Sequence, residues 1–524
     1  MDITHYADSA WSLIPPLAAV VLAVTTRKVL LSLGVGIVLG CLLVNQFAPL
    51  ASAQYLGQVA KGIVWSDGAL NGWNVNILLF LLLLGGIISL LTVSGATLAF
   101  AEWAAARIKD RRGAKLLTGL LVFLFFIDDY FHSLSVGTIC RPLTDRFNIS
   151  RAKLAYLLDS TAAPVCVLMP ISSWGAYIIA LIGGILTAHG IQDQSPISAF
   201  VQMIPMNFYA LFTLAMVLVV IAFQLDIGPM RRHEQRALEG QLWDPAKGVP
   251  PGSSGDLPVS SRGRVLDLVL PILTLTASTV YFMMASGAAA LAEKGLPFGV
   301  LGAFENTDVG ASLVNGGLCG LGVAVVLTLR MGLALRTWLE VIKHGVMAML
   351  PAIYILVFAW AIGAVIRDVE TGKYLASLAQ SGLPISLLPV VMFCLSGAMA
   401  FATGTSWGTF GIMLPLAGDM AAASEIGMML PMLSAVLAGA VFGDHCSPIS
   451  DTTILSSTGA GCHHIDHVMT QLPYALTIAV GAAAGYLALG MTASVGVGLV
   501  VSCAWFIGVT LFYLRANQKA AVTV

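Results

Sequence analysis

A chain of 524 residues, 58% of them hydrophobic and only 10% charged, with a mean hydropathy of +0.88, is excluded from the ordinary water-soluble globules, which carry about 25% charged residues. Lipid must solvate most of its outer surface, so a bilayer is the expected partner. The formal net charge of −1 gives no attraction to nucleic acid, and none is expected to bind.

The N-terminal MDITHYADSA lacks the basic segment of a cleavable leader, so targeting is expected to fall to the hydrophobic spans. A bilayer core of about 30 Å needs roughly 20 apolar residues per helix. In chain order, a weaker candidate at 11–24 is followed by spans at 29–47 and 74–95. Next comes the apolar stretch 116–140, with basic clusters on both sides at 107–115 and 141–153. Basic residues mark the cytoplasmic face, so both ends of 116–140 read as cytoplasmic. The Asp128-Asp129-Tyr130 break divides it into two arms of about 12 residues, each too short to span. A re-entrant hairpin satisfies both facts. After it, 152–188 reads as a broken helix interrupted by Pro164 and Pro170, and 203–225 as a full span. The hydrophilic stretch 226–264, with its RRHEQR and PPGSSGDLP runs, reads as a flexible cytoplasmic linker.

Beyond the linker, spans at 265–285, 311–329 and 346–366 lead to a second hairpin, 385–420, with its tip at Thr403-Gly404-Thr405-Ser406. A second broken helix follows at 428–460, then spans at 471–491 and 495–514. The halves match in order at offsets of roughly 273–278 residues: Ser94-Gly95-Ala96 with Thr371-Gly372-Lys373, Asp128 with Thr403, Pro142 with Pro415, and Pro170 with Pro448. Span counting places the ends of the second hairpin outside, so the fold class expected is an all-α polytopic membrane protein with two inverted repeats, 11–225 and 265–491. The final run, 495–514, stands outside the repeat as an extra helix. In such proteins substrate and ion sites sit near the midplane between the repeats.

Intramembrane carboxylates cost at least ~2.5 kcal/mol each on insertion scales, which makes each one a functional candidate. Asp128, Asp129 and Asp159 in the first half, and Asp444 and Asp451 in the second, fit that description. Adjacent Asp128 and Asp129 would titrate as a pair. A carboxyl that can either hold a proton or share Na⁺ makes the two cargoes compete, which is the physical core of antiport. The bland reading is that one of the two caps a half-helix. Hard cations prefer oxygen ligands. Ser160, Thr161, Thr403, Thr405, Ser406, Ser447, Ser450 and Thr452 supply them around the breaks. His132 and His445 are possible proton relays, weighed against a plain structural role. Cys462, His463, His464 and His467 have the residue types of a metal cluster but read as a loop; no metal beyond transported Na⁺ is expected. Trp174, Tyr177, Trp407 and Phe410 read as packing rather than an organic-substrate pocket.

The stretch FFIDDYFHSLSVGTICRPLTDRFNISRAKLAYLLDSTAAPVCVLMPISSWGAYI (125–178) resembles the signature region of NhaC-type sodium/proton antiporters, and FGDHCSPISDTTILSS (442–457) resembles their second signature. The resemblance covers nearly the whole chain. It implies the ion-transporter fold with scaffold and transport domains, elevator-type movement, a homodimer, a bacterial inner-membrane location, and Na⁺ and H⁺ as cargo with no cofactor. It also admits organic-acid exchangers, so a Na⁺- or H⁺-coupled carrier of an organic acid or amino acid is the alternative. Against an anion stand the five aspartates and the lack of an intramembrane Arg or Lys in either signature. An intramembrane aspartyl protease, the enzymatic reading, is disfavoured because Val441 replaces the first glycine of a GxGD arrangement. A channel is disfavoured because no charged ring is evident.

Overall fold

A computed structural model describes residues 4–26, 28–66, 68–126, 128–170, 172–191, 194–251, 260, 262–329, 335–371, 373–374 and 384–522. Ile127, Ile171, Gly372 and linker residues 252–259, on which some of the expectations above fall, lie outside them.

The chain opens with α1 (Ile14–Thr26), α2 (Val29–Val44) and α3 (Pro49–Val64), then a short antiparallel hairpin of β1 (Trp65–Ser66) and β2 (Ala69–Leu70). α4 (Gly72–Val93) and α5 (Ala96–Arg107) lead to α6 (Arg111–Leu120) and the single turn α7 (Val122–Phe125). α8 (Asp129–Arg146) then starts afresh, followed by α9 (Arg151–Cys166), α10 (Ser173–Ala188), α11 (Pro196–Met203) and α12 (Phe208–Phe223). The second part runs through α13 (Pro229–Leu238), α14 (Val265–Glu293), α15 (Val300–Glu305), α16 (Val309–Leu329) and α17 (Leu335–Asp368). It ends with α18 (Leu388–Thr403), α19 (Ser406–Ser424), α20 (Met429–Cys446), α21 (Asp451–Ala460), α22 (His464–Thr492) and α23 (Val495–Val522).

Among the described residues, seven helices are long and apolar enough to cross a membrane, or eight if the pair α11–α12, bent by 53°, is one broken span. The protein is therefore a multi-pass membrane protein. The short helices have a physical cause at each break. Asp128 caps α8 by accepting the Phe131 N–H at 3.0 Å, Ser172 caps α10 from Gly175 at 2.9 Å, and Ser450 caps α21 from Thr453 at 3.2 Å. Side-chain acceptors of this kind satisfy orphan amides that lipid cannot. Between α18 and α19 the chain turns at Gly404, whose φ of +69° is left-handed and whose missing Cβ would lie 2.4 Å from the Ile449 carbonyl oxygen.

These breaks face one another. α8 packs on α5, α9 and α21, while α21 also touches α9, α17 and α22. α18 and α19 both lie against α20, and α19 reaches α10. α4 packs on α16 and α17, and α14 packs on α16.

The linker departs from the flexible segment expected of 226–264. Met230, Glu234 and Ala237 fall on one face of α13 and are buried, spaced as helical neighbours should be. Glu234, 3% exposed, accepts from Arg111 at 2.7 Å, from the Ser150 hydroxyl at 2.7 Å and from the Ser150 amide at 2.9 Å; Lys115 stands 3.4 Å away. Lys247 pairs with Asp466 further along. Charged residues that suggest a solvated loop here dock the helix onto the bases of α6 and α9.

Burial alone would raise the Glu234 carboxyl, but Lys115, Lys153 and Arg111 outweigh it and hold the group below its ordinary value. A depressed carboxyl stabilises above its unfolded pKa and loses that contribution as pH falls through its folded pKa. Glu234→Gln is thus expected to destabilise the protein by about 3–5 kcal/mol at neutral pH, the usual cost of breaking a buried pair. Thermal melts of the detergent-solubilised protein should show the gap between variant and wild type closing as the solution is acidified below the ordinary carboxylate range.

Candidate functional site

The five aspartates are all buried; Asp128, Asp129, Asp444 and Asp451 lie at or beside helix breaks, whereas Asp159 sits in the middle of α9, which continues to Cys166. Both Asp128 oxygens are engaged: Oδ1 caps α8 and Oδ2 accepts from Ser173 Oγ at 3.0 Å. The capping role thus falls to Asp128. Asp129 accepts from the Trp174 indole at 2.9 Å through Oδ1, and its Oδ2 is buried with no hydrogen-bond partner. A buried carboxylate oxygen without a partner is costly unless something else binds it.

The two halves meet through Tyr130. Its hydroxyl donates to Asp451 Oδ2 at 2.5 Å, and Asp451 Oδ1 accepts the Thr452 amide at 2.8 Å. Ser133 and Ser456 face each other at 3.0 Å one turn along the same contact. Asp444 accepts from Ser406 at 2.9 Å, which joins the start of α19 to the end of α20. Tyr130, bonded to Asp451, directly follows Asp129, and Asp444 lies seven residues before Asp451, so these three carboxylates gather about the same junction. Ser450 and Thr452 exchange a hydroxyl bond at 3.0 Å beside it. Ser447 instead donates to the Phe401 carbonyl at 2.8 Å and Thr403 to Met399 at 2.9 Å, which fixes the loop and the turn rather than leaving those hydroxyls free.

Asp159 belongs to a second group. It accepts from Thr453 at 3.2 Å, Ser456 at 3.3 Å and Gln471 at 2.5 Å, with His467 Nε2 at 3.2 Å. His445 faces Tyr209 at 3.2 Å and passes its carbonyl to Gln471 at 3.0 Å. His132 reaches Thr161, not an aspartate, at 3.1 Å. Ser160 lies beside Tyr156, His445 and Gln471, on the Asp159 side.

His467 and Gln471 are the residues that sequence reasoning missed. His467 was weighed with Cys462, His463 and His464, but the four do not converge. His464 turns to the Pro448 carbonyl at 2.8 Å, and among the described residues no three His, Cys, Asp or Glu side chains are grouped to hold a metal. The signal for His467 and Gln471 was their spacing of four on one helix, which puts both on the face toward Asp159.

A cavity of about 540 Å³ leads to the cluster. Asp451, Tyr130, Thr403 and Thr405 are on its wall, as are Trp407 and Arg367. Trp407 stacks on Tyr177 at 4.8 Å and meets Trp73 at 5.2 Å, while Trp174 and Phe410 pack edge-on at 5.6 Å. Of the four aromatics read as packing, Trp407 lines the cavity and Trp174 serves Asp129.

Residues 165–491, well over half of the chain, match the family model described as the Na⁺/H⁺ antiporter family. The chain belongs to that family. The match takes in Asp444 and Asp451 and begins beyond Asp159. An uncharacterized protein of Haemophilus influenzae is 53% identical to this family member over 94% of the chain and 93% of its own length. A malate-2H⁺/Na⁺-lactate antiporter of Bacillus subtilis is 37% identical over 29% of this chain and 32% of that one. An arginine/ornithine antiporter, ArcD, of Halobacterium salinarum is 31% identical over 30% of this chain and 33% of that one. The family is one of transporters, consistent with the non-enzymatic reading.

Proposed function

We propose that the protein exchanges Na⁺ for H⁺ across the cytoplasmic membrane of a bacterium by alternating access. The observation that carries this reading is the Asp129–Asp451–Asp444 cluster, which spans both broken-helix systems, holds an unpartnered carboxylate oxygen and touches an open cavity. Carboxylates buried in an apolar interior cannot all stay charged without a counter-cation. They hold protons or a cation, and the two compete. Na⁺ arriving through the cavity would meet Asp451 and the 403–405 tip first, with oxygens of Ser450, Thr452 and Asp444 beside it. Asp128 orients the α8 terminus, and Asp159 with His467 and Gln471 supports α21 from behind.

Basic residues assign the 107–115 and 141–153 clusters to the cytoplasm. An inverted repeat with 116–140 and 385–420 as re-entrant hairpins, an elevator movement and a homodimer fit this reading and complete the proposal. The test is pH-gradient collapse in proteoliposomes on adding Na⁺, Li⁺, K⁺, malate or amino acids in turn. Collapse by Na⁺ alone is expected. No response to any cation would sink the reading, and a response that needs an organic solute would favour coupled transport of that solute.

A further inference from the structure

A groove of about 270 Å³, with no aspartate in its lining, runs between α6–α7 and α12, and both walls pack on α9. Leu116, Leu120 and Phe123 lie on one wall at helical spacing, and Leu218 lies on the other. These four are between 41% and 67% exposed, so the groove opens to the bilayer rather than to the protein interior. Thr161 is the one hydroxyl residue in its lining, and that hydroxyl donates to the Leu157 carbonyl at 2.6 Å. The groove therefore offers hydrocarbon along its whole length.

Its cytoplasmic end is charged. Arg112 precedes Leu116 by one helical turn, which puts it on the same stripe of α6, and it is exposed. Among the described residues Arg112 makes no hydrogen bond or ion pair, whereas Arg111 beside it is held by Glu234 at 2.7 Å. The nearest acid, Asp110, is turned to cap α6 and accepts the Gly113 amide at 2.8 Å, while Lys109 adds a second exposed cation. Eleven residues separate Arg112 from Phe123, about 16 Å at 1.5 Å each. One leaflet of a 30 Å hydrocarbon core is about 15 Å deep.

We propose that this groove seats an acyl chain of one anionic phospholipid of the cytoplasmic leaflet, with its phosphate on Arg112. A guanidinium presents paired N–H donors that match phosphate oxygens. Lipid tails are as apolar as leucine, so the chain gains nothing hydrophobic by leaving the bulk bilayer. Selectivity comes from the headgroup, and the groove sets where the chain lies. Met169, in the break between α9 and α10, also lines the groove, and its carbonyl accepts from Ser172, the cap of α10, at 2.8 Å. α7 leads into the Asp128 cap of α8. A seated chain braces both breaks from the lipid side.

The test uses the full-length protein, stripped of lipid in detergent. The probes are phosphatidylglycerol, phosphatidylcholine with the same chains, and inorganic phosphate. Phosphatidylglycerol is expected to raise the melting temperature by a few degrees. Its apparent affinity should exceed that of phosphatidylcholine by about tenfold, the scale of one or two basic side chains at an anionic surface. Inorganic phosphate should give no shift. Arg112→Gln should bring the two lipids within about twofold, and Leu218→Trp, which fills the groove from its exposed wall, should weaken both. A phosphatidylglycerol with a diazirine at its acyl end should label the segments holding Phe123 and Leu218 in wild-type protein, which needs neither variant. Equal shifts from both lipids, a preference unchanged in Arg112→Gln, a shift from phosphate alone, or label spread evenly over the lipid-facing helices would overturn the proposal.

Discussion

Replacing Asp451 with Asn is expected to reduce Na⁺-driven exchange by about 100-fold or more, equivalent to about 2.7 kcal/mol, with the protein still folded and inserted. The amide oxygen can still accept the Thr452 N–H, and the amide NH2 can donate to the Tyr130 hydroxyl oxygen, so the junction between α8 and α21 keeps its contacts with one bond reversed. What it cannot do is bind a cation with a full charge or release a proton. Removing that charge also relieves the repulsion it exerts on Asp129 and Asp444. The melting temperature should therefore hold or rise as activity falls. Stopped dye-quenching in proteoliposomes and a thermal melt on the same preparation separate the two effects. Exchange within twofold of wild type would remove Asp451 from the site.

Gly459→Val should cost more stability than any other single change considered. A Cβ at Gly459 would lie 2.3 Å from the Ser133 carbonyl oxygen, and one at Gly137 would lie 2.6 Å from the Gly459 carbonyl carbon. These are backbone atoms of α8 and α21 and cannot rotate away. Overpacking ordinarily costs about 1–3 kcal/mol because side chains yield; here the two helices must part, breaking the Tyr130–Asp451 and Ser133–Ser456 contacts together. Size-exclusion profiles in detergent should show aggregate in place of a sharp peak, with Gly459→Ala intermediate. A monodisperse Val variant that melts like wild type would mean the helices are not held in backbone contact.

Much of the architecture was legible in composition and hydropathy. The long apolar runs became α4, α14, α16, α22 and α23 because a helix is the form that satisfies every backbone amide in lipid without a partner. Asp128, Ser172 and Ser450 lie where helices stop and restart, since their side chains can serve the freed amides there, whereas Asp159, Pro142, Pro164 and Pro415 lie within helices. The linker was misread because charge alone looks the same whether it meets water or a buried counter-charge; Glu234 differs from an exposed glutamate only by what Arg111 and Lys115 do around it.

The sequence by itself determined a helical, multi-pass chain with acidic residues carried into its apolar interior, because hydropathy and insertion cost are local sums over neighbouring residues. Only the tertiary structure decided how those residues divide. Asp128 serves as a cap and Asp129 keeps a free oxygen; Asp451 joins one half to the other through Tyr130, while Asp159 turns to His467 and Gln471. Those partners are some 300 residues apart along the chain, and nothing local to either end specifies them. Helix packing brings them together.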